Sequence, residues 1–141
     1  MSSFSRRLSL VFAAGCLGGL VNSFAVWYAG YAGIPHRFGV ALAPALNLAW
    51  LYPRIVWGGL WGLVFLLPCL KGGFFKGVIL RGVLLSLAPT LFQLLYVFPE
   101  MLHKGFFGTG LGGLTPVFVV LYNIVWGITA ALWLYHVNRG S

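Results

Sequence analysis

The chain has 141 residues, of which 60% are hydrophobic and only 7% are charged, and its formal net charge is +8. Soluble domains carry about 25% charged residues, so this composition excludes an ordinary water-soluble domain, and its hydrophobicity excludes a disordered chain. The basic residues punctuate long apolar stretches instead of gathering on a soluble face, so we expect no nucleic-acid binding. The sequence predicts an all-α integral membrane protein that forms one polytopic domain over residues 1–141.

The first two predicted spans differ in how clearly the sequence defines them. A transmembrane helix needs about 20 mostly apolar residues, and residues 8–31 meet this requirement without a charge. The second span is predicted at residues 51–70, with Pro53 in its first turn, where proline is tolerated. Pro44 and Pro53 interrupt the apolar stretch that begins at Phe38, and we expect an interfacial or kinked segment from Val40 to Trp50 before this span. The alternatives for residues 38–53 are a re-entrant segment and a segment continuous with the second span.

The last two predicted spans cover residues 77–98 and 116–135. Arg81 falls in the first turn of the third span, where a long side chain can extend to the membrane interface. Thr115 precedes Pro116, an order typical of an N-cap followed by proline at the first helical position. The four spans form two helical hairpins joined by the basic loop at residues 71–76.

The distribution of positive charge predicts the orientation. Cytoplasmic loops of membrane proteins are enriched in lysine and arginine. Six basic residues fall on the side of the chain termini and three on the opposite side; in that order they are Arg6, Arg7, Lys71, Lys76, Arg81 and Arg139, and Arg37, Arg54 and Lys104. We therefore expect both termini in the cytoplasm, in a bacterial-type inner membrane or a plasma membrane.

Polar residues inside the spans predict a ligand site. Arg54 lies three residues before Trp57, and Asn123 three before Trp126, a spacing that places each pair on one helix face. Arg54 and Asn123 directly precede the tetrapeptide Ile-Val-Trp-Gly, which contains the two tryptophans, occurs in both spans and is compatible with an internal repeat. Together with Gln93 and Asn22, they predict an aromatic-walled pocket for an anionic or amphiphilic ligand. The alternative is that the amides only join helices and that Arg54 anchors the protein at the interface.

Four further polar residues are predicted at the outer mouth of this pocket: Glu100, His103, His36 and Arg37. Glu100 is the expected neutralising partner of Arg54 if its loop meets the helix that carries Arg54. A metal or haem held by His36 and His103 is disfavoured, because two histidines and one glutamate are a poor ligand set. The sequence contains no aspartate and one glutamate, which excludes a Ser-His-Asp triad and paired catalytic carboxylates. We expect no resident cofactor.

Two pairs of glycines bear on assembly. Gly15 and Gly19, and likewise Gly58 and Gly62, are four residues apart, a spacing that lets helices approach closely, within one chain or between chains. Besides the lipid bilayer, the expected partners are further copies of the chain or a larger membrane complex. The favoured function is a non-enzymatic accessory, structural or binding subunit. The alternatives are a small oligomeric transporter or channel using the Arg54 and Asn123 cluster, and an intramembrane enzyme acting on a lipid or quinone through His36 or His103 with Glu100.

Overall fold

The computed structural model describes residues 3–67 and 73–139, with side chains as far as residue 137, and the regular structure in these ranges is helical. We number the helices α1 to α5. They span Ser3–Tyr31 (α1), Ile34–Arg37 (α2), Leu48–Trp61 (α3), Phe75–Met101 (α4) and Thr115–Arg139 (α5). A 3₁₀ segment, Gly62–Leu66, extends α3, and α4 contains wide π-helical turns at both ends.

In the described ranges, three helices are long and apolar enough to cross a membrane: Ser3–Tyr31, Phe75–Met101 and Thr115–Val137. They contain the first, third and fourth predicted spans and extend a few residues beyond them, which indicates an integral membrane protein. The second predicted span is different, because α3 has 14 residues before the chain tightens into the 3₁₀ segment. Its predicted end at Leu70, together with Lys71 of the basic loop, lies outside the described residues.

The start of α3 differs from the prediction. Residues 38–47 contain no helix, and α3 begins at Leu48, where the Asn47 side chain accepts a hydrogen bond from the Trp50 backbone N–H at 2.9 Å. This N-cap satisfies a donor that the first turn leaves unpaired, so the helix starts upstream of Pro53. Pro53 is therefore the sixth helical residue and does not lie in the first turn, and the helix continues through it.

The helices touch where glycines allow it. A Cβ added at Gly58 of α3 would lie 2.8 Å from the Gly15 carbonyl oxygen of α1, and one added at Gly62 would lie 3.0 Å from the Gly15 Cα. In α5, a Cβ at Gly127 would collide with the backbone of Gly82 in α4. Both glycine pairs predicted from the sequence are thus used for contact between α1 and α3 inside the chain. α1 also packs against α5, and α5 against α4.

Arg81 is buried, which corrects the prediction that it extends to the interface. Its Nη2 donates to the carbonyl oxygens of Phe65, at 2.5 Å, and Leu67, at 3.5 Å, and its guanidinium carbon lies 5.1 Å from the Phe65 ring centroid. Arg7 of α1 donates to the Leu66 carbonyl at 3.3 Å. The last carbonyls of a helix lack intrahelical partners. Two arginines satisfy them here and hold the end of the 3₁₀ segment.

At the opposite end of the bundle, the segments 32–47 and 102–114 meet, and we call this the loop end. The Ala41 N–H donates to the Leu111 carbonyl at 2.9 Å, and Val40 is buried. Thr115 begins α5 here, but its hydroxyl is buried and has no hydrogen-bond partner among the described residues. The N-cap expected of Thr115 is therefore not formed, because the side chain packs against Gly108 instead.

Candidate functional site

A cavity of about 390 Å³ lies toward the loop end between α3 and α4, with α1 and α5 behind it. All six residues predicted to bind a ligand line this cavity: Asn22, Arg54, Trp57, Gln93, Asn123 and Trp126. They come from four helices, which the sequence alone could not show to meet. Whether they bind a ligand stays a prediction, but the structure places them around one space of the size typical of ligand pockets.

Of the described residues that line the cavity, Arg54 is the only charged one. Its Nε donates to the Ser23 hydroxyl at 2.9 Å, its Nη2 donates to the Asn22 side-chain oxygen at 2.7 Å, and its guanidinium carbon lies 4.7 Å from the Trp50 ring centroid. A guanidinium has five N–H groups, and the other three have no hydrogen-bond partner among the described residues. The side chain is thus oriented by neutral groups and retains donors for another molecule.

Ser23 is part of this arrangement and was not predicted. Its hydroxyl accepts from Arg54 while donating to the Gly19 carbonyl at 2.7 Å, the back-bonding geometry available to serine in a helix. The only sequence signal was a hydroxyl next to Asn22 in an apolar span. Asn22 itself donates to the Tyr122 carbonyl at 2.5 Å. It therefore joins α1 to α5 as well as orienting Arg54.

Asn123 organises the opposite side of the cavity. Its Nδ2 donates to the Gln93 side-chain oxygen at 2.6 Å and to the Thr90 hydroxyl at 3.0 Å, so both amide hydrogens are used. Thr90, which was not predicted, donates in turn to the Ser86 carbonyl at 2.7 Å. The Nε2 of Gln93 and the Oδ1 of Asn123 have no partner among the described residues. These amides therefore join helices and also keep hydrogen-bonding groups at the cavity.

The remaining walls are apolar and mostly aromatic. The rings of Trp61 and Phe92 lie 5.5 Å apart across the space between α3 and α4, and Tyr96 lies 5.2 Å from Phe92. The residues of the lining that sequence reasoning missed are Gly19, Pro53, Gly58, Trp61, Pro89, Phe92, Tyr96, Val97 and Met101. Their types are common in any span, so no pattern distinguished them from lipid-facing residues.

The predicted outer-mouth group does not join the cavity. Glu100, His103, His36 and Arg37 are all exposed, and none of them belongs to the lining. No ion pair links Glu100 to Arg54, which corrects the expected neutralisation, because the Arg54 guanidinium is turned toward α1. Among the described residues, no three His, Cys, Asp or Glu side chains are grouped so that they could hold a metal ion.

The charge balance of the cavity therefore favours an anion. Its lining, as far as the chain is described, carries one arginine, three amide side chains and no carboxylate. A charge removed from water is costly unless a counter-charge or hydrogen bonds compensate it. Among the described residues, Arg54 has two hydrogen bonds to neutral side chains and the ring of Trp50, and it has no counter-charge. An oxyanion at the free N–H groups of Arg54 would supply charge-assisted hydrogen bonds, which are about twice as strong as neutral ones.

Comparisons of the chain with protein-family models, with curated proteins and with solved structures find no match. Its function must therefore be inferred from the cavity itself.

Proposed function

We propose that this protein is a membrane-embedded binding protein for an organic anion, held in the cavity by Arg54. The proposal is based on the hydrogen bonds and the charge environment of the Arg54 side chain. Arg54 is oriented by Asn22 and Ser23 at 2.7 and 2.9 Å and lines the cavity. Within the part of the chain that the structure describes, it has no acidic partner and three of its N–H groups have no hydrogen-bond acceptor. Gln93 adds further donors from the opposite wall.

The packing beneath the cavity supports binding over conduction through the bundle. Trp126 lines the cavity and is 4% exposed. On its other side it belongs to a buried apolar cluster of Val11, Ala14, Phe65, Val78, Leu85, Ala130, Ala131 and Leu134. A dense apolar core transmits no ions, so a channel along the axis would require this cluster to separate. Transport by a larger rearrangement stays an alternative.

The other functions considered from sequence draw less support from the geometry. The enzyme interpretation needs His36 or His103 with Glu100, and none of these lines the cavity. The argument for self-association through glycine faces weakens, because Gly15 and Gly58 contact each other within the chain. A role as a subunit of a larger complex stays a prediction, and it is compatible with ligand binding.

We further propose a four-span arrangement with both termini in the cytoplasm of a bacterial-type inner or plasma membrane. The 14 residues of α3 and the 5 of the 3₁₀ segment have a combined rise of about 30 Å, which matches the hydrocarbon thickness. The excess of basic residues on the predicted side of the chain termini supports this orientation. The loop end and the cavity would then lie toward the outer surface.

Dodecanoate and dodecanol test the anion site, because they share one chain and differ in charge. We expect dodecanoate to change the tryptophan fluorescence of the protein saturably, in nanodiscs of uncharged phosphatidylcholine, and dodecanol to bind at least about tenfold more weakly. Arg54→Gln should weaken dodecanoate binding by a similar factor. The matched control is Arg37→Gln, which removes an exposed arginine at the loop end and should leave binding unchanged. Equal affinity for the two probes in the unmodified protein would refute the proposal without relying on any variant.

A further inference from the structure

The α1–α3 and α4–α5 pairs cross at equivalent positions. The tetrapeptide Ile-Val-Trp-Gly ends in Gly58 in α3 and in Gly127 in α5. A Cβ at Gly58 would meet the Gly15 carbonyl of α1, and a Cβ at Gly127 would meet the Gly82 carbonyl of α4. The repeated sequence is thus matched by a repeated helix contact.

The same correspondence holds for the polar contacts at the cavity. Arg54 donates to the hydroxyl of Ser23, and Asn123 donates to the hydroxyl of Thr90. Arg54 and Asn123 each lie four residues before the last glycine of the tetrapeptide, and each hydroxyl lies eight residues after the glycine at the crossing. The two helix pairs are therefore built alike around the cavity, with a charged group on one side and a neutral amide on the other.

One side of this repeated arrangement is closed by a tryptophan. Trp126 of α5 packs against α1 at Gly18, where an added Cβ would lie 2.8 Å from the indole Cδ1. Its Nε1 donates to the carbonyls of Gly15 at 3.2 Å and Gly58 at 3.3 Å. The absence of a side chain at Gly18 makes room for the indole, and α1 and α5 pack together around it.

The equivalent side, between α3 and α4, is open. Trp57 corresponds to Trp126 but is 57% exposed. The position corresponding to Gly18 is Leu85, three residues after Gly82, and its side chain is buried in the core. The second half thus has a leucine where the first half has a glycine, and Trp57 is not buried as Trp126 is. The halves therefore differ at the position where the indole of Trp126 packs.

This gap gives the cavity a side entrance. Trp57 and Tyr96, which are 57% and 49% exposed, flank it, and the contact between the rings of Trp61 and Phe92 closes the gap on the side away from the loop end. α4 is one of the helices long enough to cross a membrane, so an opening beside it adjoins lipid. Aromatic rings offer apolar area to a hydrocarbon chain. A molecule could thus reach Arg54 from the bilayer without passing through the loop end.

We infer that the ligand is a lipid-like amphiphile, an oxyanion with one apolar chain, which enters from the bilayer between α3 and α4. Its headgroup accepts hydrogen bonds from Arg54 and from the Nε2 of Gln93, and its chain passes Trp57 and Tyr96 toward the lipid. This inference rests on the proposed anion site and adds the chain and the route. A soluble anion entering from the loop end would need neither.

A brominated fatty acid tests the chain and the route together, since bromine quenches the fluorescence of nearby tryptophans. The probe is 9,10-dibromostearate, added to the protein in nanodiscs of uncharged phosphatidylcholine. We expect saturable quenching that excess butyrate does not reverse. Trp57→Phe should lower the saturable amplitude, because Trp57 flanks the entrance. The control is Trp133→Phe. Trp133 lies toward the C-terminal end of α5 and outside the cavity lining, so this change should leave the saturable amplitude unchanged.

The outcomes separate this inference from the anion site itself. Displacement of dibromostearate by butyrate at similar concentration would overturn the inference and leave the anion site standing, since a short acid lacks the chain. Saturable quenching with no contribution from Trp57 would exclude the route between α3 and α4. If neither acid binds saturably, both proposals fail.

Discussion

Two tryptophans, Trp57 and Trp126, lie in similar local sequences but have different surroundings in the structure. Trp57 and Trp126 lie in the same tetrapeptide, three residues after a polar side chain. Trp126 is 4% exposed and its indole N–H is shared between two carbonyls, whereas Trp57 lies at the open side of the cavity. The corresponding positions of the neighbouring helices also differ, since Gly18 of α1 faces Trp126 and Leu85 stands at the corresponding position of α4. We expect this difference to contribute to the different burial of the two tryptophans.

Paired substitutions at these positions give a prediction. Trp126→Phe removes the N–H that bonds Gly15 and Gly58 and leaves a smaller ring in a packed site, so we expect a loss of about 1–3 kcal/mol in the free energy of unfolding. Trp57→Phe removes the same atoms at an exposed position and should change stability by less than about 0.5 kcal/mol. Thermal unfolding in detergent measures both. Equal destabilisation by the two variants would contradict the assigned roles.

At the scale of helices, glycine contacts determine which elements pack. α1 and α3 approach through Gly15 and Gly58, and α4 and α5 through Gly82 and Gly127, with backbones too close for side chains. In a membrane, helices associate by such close packing because lipid offers no hydrophobic driving force between them. α3 and α4 lack a comparable contact, and this is where the cavity lies.

Adding one methyl group at each crossing tests this packing. Gly58→Ala and Gly127→Ala place a Cβ against backbone atoms of the facing helix, which cannot move aside as a flexible side chain can. We expect each variant to lose about 1–3 kcal/mol of stability. Gly113→Ala is the control, since a Cβ there meets nothing within 4 Å. A thermal unfolding series compares the three variants, and unchanged midpoints for both crossing variants would rule out the close contacts.

For the whole molecule, the distribution of charge and the position of the cavity are linked. The described basic side chains at the end of the bundle opposite the loop end include Arg7 and Arg81, which cap the 3₁₀ segment. The cavity, with Arg54, lies nearer the loop end. If the excess of positive charge marks the cytoplasmic side, we expect the cavity to lie in the outer half of the bilayer and the proposed ligand to enter from the outer leaflet.

Cysteine labelling in intact cells tests this orientation. In a background in which Cys16 and Cys69 are replaced by serine, we expect His36→Cys and His103→Cys to react with a membrane-impermeant maleimide. Lys76→Cys, at the opposite end of the bundle, should react only after the cells are opened. All three positions are exposed on the protein, so burial does not explain a lack of reaction. The reverse pattern would place the cavity in the cytoplasmic half.

Much of the candidate site could be anticipated because polar groups in apolar spans are costly and tend to face the bundle interior. Arg54, Asn123, Gln93 and Asn22 stood out for that reason. Ser23 and Thr90 did not, because a hydroxyl can bond to its own helix backbone and is ordinary in a span. Glu100 was assigned to Arg54 from charge alone, and the orientation of the guanidinium was decided by neighbouring helices instead.

The sequence alone determined that the chain is helical and apolar enough for a membrane, because hydropathy and length depend only on local composition. It also identified the polar residues that meet at the cavity. Only the tertiary structure decided that α1 and α5 close around Trp126, that Arg81 and Arg7 cap the 3₁₀ segment, and that a gap stays open between α3 and α4. These outcomes depend on how side chains from distant parts of the chain pack against one another, and no local sequence pattern predicts that packing.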